Sequence, residues 1–173
     1  MSATTYLTCS DTAKLIRKAL KREFPGVKFG VRSKTYSGGA SIDVKWTDGP
    51  TPERVEDVAK RYQGATFDPM IDLKSYVPGQ LSYQDDPARD GEAVHFGADF
   101  VFCERSFSEA FASLVRADLT AEYPGFDWPP VRGACDGWSL DWEAPTYYDS
   151  PTNGGFHNDC GYLFSRRAKE TEG

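Results

Sequence analysis

No apolar run in this chain approaches the about 20 residues that a membrane-spanning helix needs. Histidine is scarce, with two in 173 residues, and the four cysteines Cys9, Cys103, Cys135 and Cys160 stand far apart without a CxxC or CxH pairing. Structural zinc sites draw on closely spaced ligand pairs, and the nearest approach to one is His157 with Cys160, so no metal is expected. Neither GxGxxG nor GxxxxGK[ST] occurs, which removes the common phosphate-cradling loops. No Gly-x-Ser-x-Gly turn presents a nucleophilic serine. No cofactor is therefore expected. The opening residues MSATTYLTCSD have neither a basic start nor an apolar h-region. That predicts a cytoplasmic chain whose thiols are reduced and mostly buried.

What is present is enough apolar side chain, 39% of residues, to bury a core in one domain or two small ones. The net charge of −6 argues against a general nucleic-acid coating protein. Its distribution is uneven. Residues 1–77 carry 13 Lys and Arg against 9 Asp and Glu, whereas residues 78–173 carry 7 against 17. That polarity fits either a partner surface or attraction between two halves packed together.

The strongest internal signal is a repeat. LIRKALKREFPGVKF, from Leu15, returns as LVRADLTAEYPGFDW, from Leu114. A shift of 99 superimposes Leu20 on Leu119, Arg17 on Arg116 and Pro25-Gly26 on Pro124-Gly125. A shift of 98 then superimposes Ser41 and Asp43 on Ser139 and Asp141.

Read in order, Thr4–Thr8 is a short strand. Ser10-Asp11 caps a helix whose apolar stripe is Leu15, Ile16, Ala19, Leu20 and Phe24, and Pro25-Gly26 ends it. Val27, Phe29 and Val31, then Ile42, Val44 and Trp46, alternate with polar residues around Ser37-Gly38-Gly39, which is a β-hairpin. Thr51-Pro52 opens a second helix with Val55, Val58, Ala59 and Tyr62 inward. Residues 67–76 fit a strand or a turn. Residues 78–92, with two prolines and two glycines, read as an exposed acidic loop linking the halves. Val94, Phe96, Ala98, Phe100 and Phe102 then alternate as one long strand. Ser106 or Ser108 caps the next helix, with Phe111, Leu114, Val115, Leu119 and Tyr123 as its stripe. A poorer hairpin interrupted by Trp128-Pro129-Pro130 follows, then a long aromatic loop and a frayed polar tail. The whole predicts an α+β fold. Two degenerate strand–helix–hairpin halves, 1–77 basic and 93–173 acidic, would share a mostly antiparallel sheet with the helices packed on one face.

The stretches FPGVKFGVRSKTYSGGASIDVKWTDGP, YQGATFDPMIDL and AVHFGADFVFCERSFS give residues 12–108 a likeness to a known family. They resemble the large polyvalent protein-associated domain numbered twenty-nine in its series, found in polyvalent proteins of phages and conjugative elements. The resemblance implies an association with mobile DNA and with its protection from host defences. It implies no reaction and no catalytic residues.

Three groups of residues are candidates for chemistry. Asp43, Asp68 and Asp72 are carboxylates for a metal or for acid–base work, and His95 and His157 with Cys103, Cys135 and Cys160 add soft ligands. Lys14, Lys18, Lys21, Arg22, Lys28, Arg32 and Lys34, with Tyr36 at a hairpin tip, make a basic surface with a stacking ring for nucleic acid. Asp136, Trp138, Asp141, Trp142, Glu143, Tyr147 and Tyr148 interleave acids with aromatics, as interface anchors do. The expected function is a non-enzymatic binding protein of a mobile element. It would act by protein–protein contact against a host defence protein, such as restriction or CRISPR machinery, through the acidic C-terminal half. The alternative is a nucleic-acid-binding accessory domain using the basic helix and hairpin, and a metal-dependent hydrolase comes third. No membrane partner is expected, and the oligomeric state is open.

Overall fold

Helix α1 begins two residues earlier than a cap at Ser10 implies. Thr8, in extended backbone, accepts the Asp11 N–H on its hydroxyl at 3.1 Å, so the helix runs Cys9–Glu23. Its inward stripe is Ala13, Ile16, Ala19 and Leu20, each essentially inaccessible to water. Residues 4–70, 72–126, 128, 166–168 and 170–171 are described by the computed structural model. They fall in two compact units, one within Met1–Trp46 and Pro52–Glu104, the other within Thr47–Thr51 and Arg105–Gly173.

After the short strand β1 (Thr5–Tyr6) and α1 come the hairpin strands β2 (Gly30–Tyr36) and β3 (Gly39–Thr47). They pair antiparallel, with Val31 opposite Val44 and Tyr36 opposite Gly39. Alternation sends Val31, Ile42, Val44 and Trp46 to one face, where they pack in one cluster with Ile16 and Leu20 of α1. Helix α2 (Pro52–Ala59) adds Val55, Val58 and Ala59, and the 3₁₀ turn Lys60–Tyr62 adds Tyr62. Each such aliphatic side chain contributes about 1.5–3 kcal/mol when fully buried.

The ambiguous stretch 67–76 is a hairpin, with β4 (Ala65–Asp68) antiparallel to β5 (Leu73–Tyr76). Strand β6 (Gly79–Gln80) pairs antiparallel with β7 (Ala93–His95), and β1 pairs parallel with β7 on its other side. The stretch expected as a linker, 78–92, is tied into the first unit: Leu81 is buried, and the Lys18 ammonium donates to the Asp85 carbonyl at 2.8 Å. Tyr62 Oη donates to the Asp85 carboxylate at 2.5 Å.

The long strand expected from Val94 to Phe102 is two strands. The chain bends at Gly97, whose N–H donates to the buried Thr12 hydroxyl at 3.0 Å, and resumes as β8 (Phe100–Ser106). The bend shifts the phase by one residue, so Val101 is buried and Phe102 exposed. Strand β8 joins β3, which gives the sheet order β2-β3-β8.

In the second unit, Ser108 caps helix α3 (Glu109–Glu122) by accepting the Phe111 N–H at 3.2 Å. Phe111, Ala112, Val115 and Leu119 are buried with Trp128 and Ala168. Leu114, expected inward, is 68% exposed because residue 112 takes the inward place instead. The Arg105 guanidinium is buried and donates to the carbonyls of Asp48, Gly49, Ala168 and Thr171 at 2.8–3.2 Å. It also lies 4.8 Å from the Phe111 ring centroid.

The fold is α+β. In place of one shared, mostly antiparallel sheet, the described residues form three small sheets, one of them mixed. The second hairpin and the aromatic loop after it lie outside the described residues, apart from Trp128.

Candidate nucleic-acid interface

The cluster that buries Val31, Ile42, Val44 and Val101 covers one side of the β2-β3-β8 sheet. The strand period puts Arg32, Lys34 and Tyr36 of β2 on the other side, with Asp43 and Lys45 of β3. The Lys45 ammonium pairs with Glu104 of β8 at 2.6 Å, which places Glu104 on that same outer side, and Phe100 and Phe102 with it. Tyr36 is 54% exposed and Phe102 55%. The Phe100 and Phe102 rings are 6.3 Å apart between centroids. The outer side of the sheet thus carries three basic side chains and three aromatic rings.

Two acids temper the charge. Lys34 pairs with Asp43 at 2.6 Å, as Lys45 does with Glu104. The Lys45–Glu104 pair is exposed at both ends, where an ion pair contributes about 0–1 kcal/mol and yields readily to a phosphate, whereas Asp43 is mostly covered and only its partner Lys34 reaches into solvent. The rings contribute nothing comparable to the fold in their exposed parts, yet each offers a π-face, which every base can stack on.

Phe100 and Phe102 were not legible as site residues, because simple alternation from Val94 buries them. Glu104 carries the missing signal. It shares their parity, so a strand that buried both phenylalanines would bury an unpaired acid as well.

The basic residues expected as one surface divide between two sides of the sheet. Arg32, Lys34 and Tyr36 stand on the outer face. Helix α1 packs on the inner face, and its cations are engaged there. Lys14 pairs with Asp11 at 2.8 Å, Lys18 reaches Asp85 O, and Arg22 reaches Gln84 O at 3.5 Å. Lys21 belongs to the last turn of α1, and Lys28 to the segment between α1 and β2.

The three carboxylates do not converge. Asp68 accepts the Met70 N–H at 2.9 Å, Asp72 adopts a positive φ of 50° in the same turn, and Asp43 is paired on β3. Among the described residues no group of three or more His, Cys, Asp or Glu side chains is placed to hold a metal. Cys9 is a buried free thiol, and burial pushes the half-buried Cys103 thiol up to about 12. Asp136, Trp138, Asp141, Trp142, Glu143, Tyr147 and Tyr148, with Cys135, His157 and Cys160, lie outside the described residues.

These features define an α+β domain built around a helix-backed hairpin with an open aromatic and basic sheet face. Residues 7–108 match the family described as large polyvalent protein associated domain 29, and the chain belongs to that family. No curated protein and no solved structure matches it. Among the described residues no helix is long and apolar enough to cross a membrane.

Proposed function

We propose that this domain is a binding module for single-stranded nucleic acid, used by polyvalent proteins on the mobile DNA they accompany. The observation that carries the reading is the outer face of β2-β3-β8, which carries exposed Tyr36 and Phe102 together with Arg32, Lys34 and Lys45. Sheets that bind single strands stack successive bases on rings so placed and hold the backbone with the cations between them. Phosphate contacts by these cations release counterions, so binding is expected to weaken as salt rises.

The test is fluorescence anisotropy of the full-length protein with labelled single-stranded DNA and RNA of mixed sequence at low salt. Binding is expected for at least one strand type. Phe102→Ala and Tyr36→Ala are each expected to weaken it about tenfold, within the 1–3 kcal/mol a stacked base is worth. Charge reversal at Lys18 and Lys21, on the other side of the sheet, is expected to change little. Binding lost with the helix reversals and kept in the ring variants would overturn the reading, as would no binding to either strand type.

A further inference from the structure

Beyond Tyr36 the turn of the β2–β3 hairpin borders a half-open cleft of about 530 Å³. That volume falls within the roughly 300–1,000 Å³ typical of ligand-binding clefts. Two features of its lining are unusual together. The first is a group of rings: His95 lies 5.3 Å from Tyr6 and 5.1 Å from Tyr76, centroid to centroid, and Tyr6 is 77% exposed. The second is a buried carboxylate, Asp99. Its Oδ2 accepts the Ala40 N–H at 3.2 Å and the Lys74 ammonium at 3.1 Å. Its Oδ1 takes no hydrogen bond among the described residues. Lys74 gives a second N–H to the Gly38 carbonyl at 3.1 Å and also engages Tyr76, so its ammonium holds the carboxylate in place beside the cleft. The site requires glycine at position 39, since a Cβ there would stand 2.0 Å from Asp99 Oδ2.

The opening therefore offers ring faces beside an accepting carboxylate oxygen. We infer that it holds one unstacked guanine base. Guanine alone among the bases sets two donors, N1–H and the 2-amino group, beside one acceptor, O6, along its Watson–Crick edge. Asp99 Oδ1 matches the two neighbouring donors, and the tyrosine and histidine rings take the base's face. Adenine and cytosine present one donor group on that edge, and thymine a single donor between two acceptors. The inference rests on the nucleic-acid reading above. Tyr36 links the two sites, because its ring edge would lie 3.4 Å from a Cβ at residue 39. A strand leaving the sheet face at Tyr36 thus arrives at the cleft.

The test uses the full-length protein and labelled oligothymidylate strands carrying no substitution or one central guanine, inosine or adenine. The guanine strand is expected to bind about tenfold tighter than the all-thymine strand, in line with a good bidentate base contact. Inosine, which lacks the 2-amino group, is expected to lose most of that gain, and adenine all of it. Asp99→Asn and Tyr6→Ala are each expected to erase the guanine preference while all-thymine binding persists; the second touches no buried group. Equal binding of all four strands overturns the guanine inference and leaves the sheet-face reading standing. If no strand binds, the parent reading fails, and titration with guanosine monophosphate decides the cleft by itself. Shifts of the His95 ring resonances would then support a free nucleotide as the guanine source, and their absence would overturn the site.

Discussion

Helices α1 and α3 are finished by the same local chemistry and serve different surroundings. Thr8 and Ser108 hold nearly the same backbone, φ −73° and ψ 159° against φ −75° and ψ 160°. At the other end, the N–H groups of Phe24 and Tyr123 both donate to the leucine carbonyl four residues back at 2.9 Å. Gly26 and Gly125 then turn left-handed at φ +96° and +92°. Arg17 and Arg116 each reach forward to a carbonyl, Val31 O at 2.6 Å and Trp128 O at 2.7 Å. What differs is the packing. The stripe of α1 joins a large cluster drawn from a sheet and a second helix, whereas that of α3 meets Phe107, Trp128 and Ala168. The outward side of α1 is basic, and that of α3 carries Asp118 and Glu122, both engaged by Arg167. Cap, turn and arginine tether thus form a portable set, while the partner surface is specified separately.

The comparison breaks most sharply at Arg105, which has no counterpart role in the first unit. Arg105→Ala strands several carbonyls and is expected to cost about 4 kcal/mol. Hydrogen exchange should rise across α3 while α1 stays protected; equal loosening of both would refute the assignment. Next come the matched leucines. Leu20→Ala and Leu119→Ala each empty a fully buried site, and about 3 kcal/mol is expected for each in chemical denaturation. A smaller effect is expected at the turns: Gly26→Ala and Gly125→Ala should each cost about 1–2 kcal/mol, since open space surrounds both and only the backbone is strained. Unequal costs would show that the two ends only look alike. The caps come below that, with about 1 kcal/mol expected for Thr8→Ala and for Ser108→Ala.

The smallest effect concerns acid. Hydrogen bonds from Arg89 and then Thr5 hold the Glu92 carboxyl at about 2, against an ordinary 4.5. For Asp85, burial pushes upward, but hydrogen bonds from Tyr62 and Ser82 outweigh it and keep its carboxyl below the usual range. A lowered folded-state value means stability that is complete above the ordinary pKa and fades as pH falls toward the folded one. The first unit should therefore lose stability between pH 4.5 and about 2, followed by circular dichroism. Glu92→Gln should flatten that slope, and an unchanged slope would remove Glu92 from the account.

Signals written within a few residues were legible. The hairpin around Ser37-Gly38, the proline that opens α2, the inward Val55, Val58 and Tyr62, and both Pro-Gly helix ends follow from local propensity and period. Readings failed where a distant partner decided. Gly97 breaks the strand because Thr12, far back in the chain, takes its N–H. Leu81 is drawn inward from a polar stretch by a core it meets only in the fold. The cleft was invisible for the same reason. Tyr6, His95 and Asp99 share no spacing rule, and of the three only His95 drew notice, as a soft metal ligand. Tyr36 was named as a stacking ring from its turn alone, but its companions Phe100 and Phe102 depended on the phase shift at Gly97.

Strand β1 bears on the order in which the chain can assemble. It lies parallel to β7, and the Thr5 hydroxyl donates to Glu92, 87 residues ahead, at 2.6 Å. During synthesis α1 and the β2–β3 hairpin can form and pack, but Thr5 and Tyr6 must wait until Ala93–His95 exists. Closure of that parallel pair is therefore a late, non-local event. A bulky fusion placed directly before Thr5 would tax this step first, slowing maturation of the unit before it touched equilibrium stability.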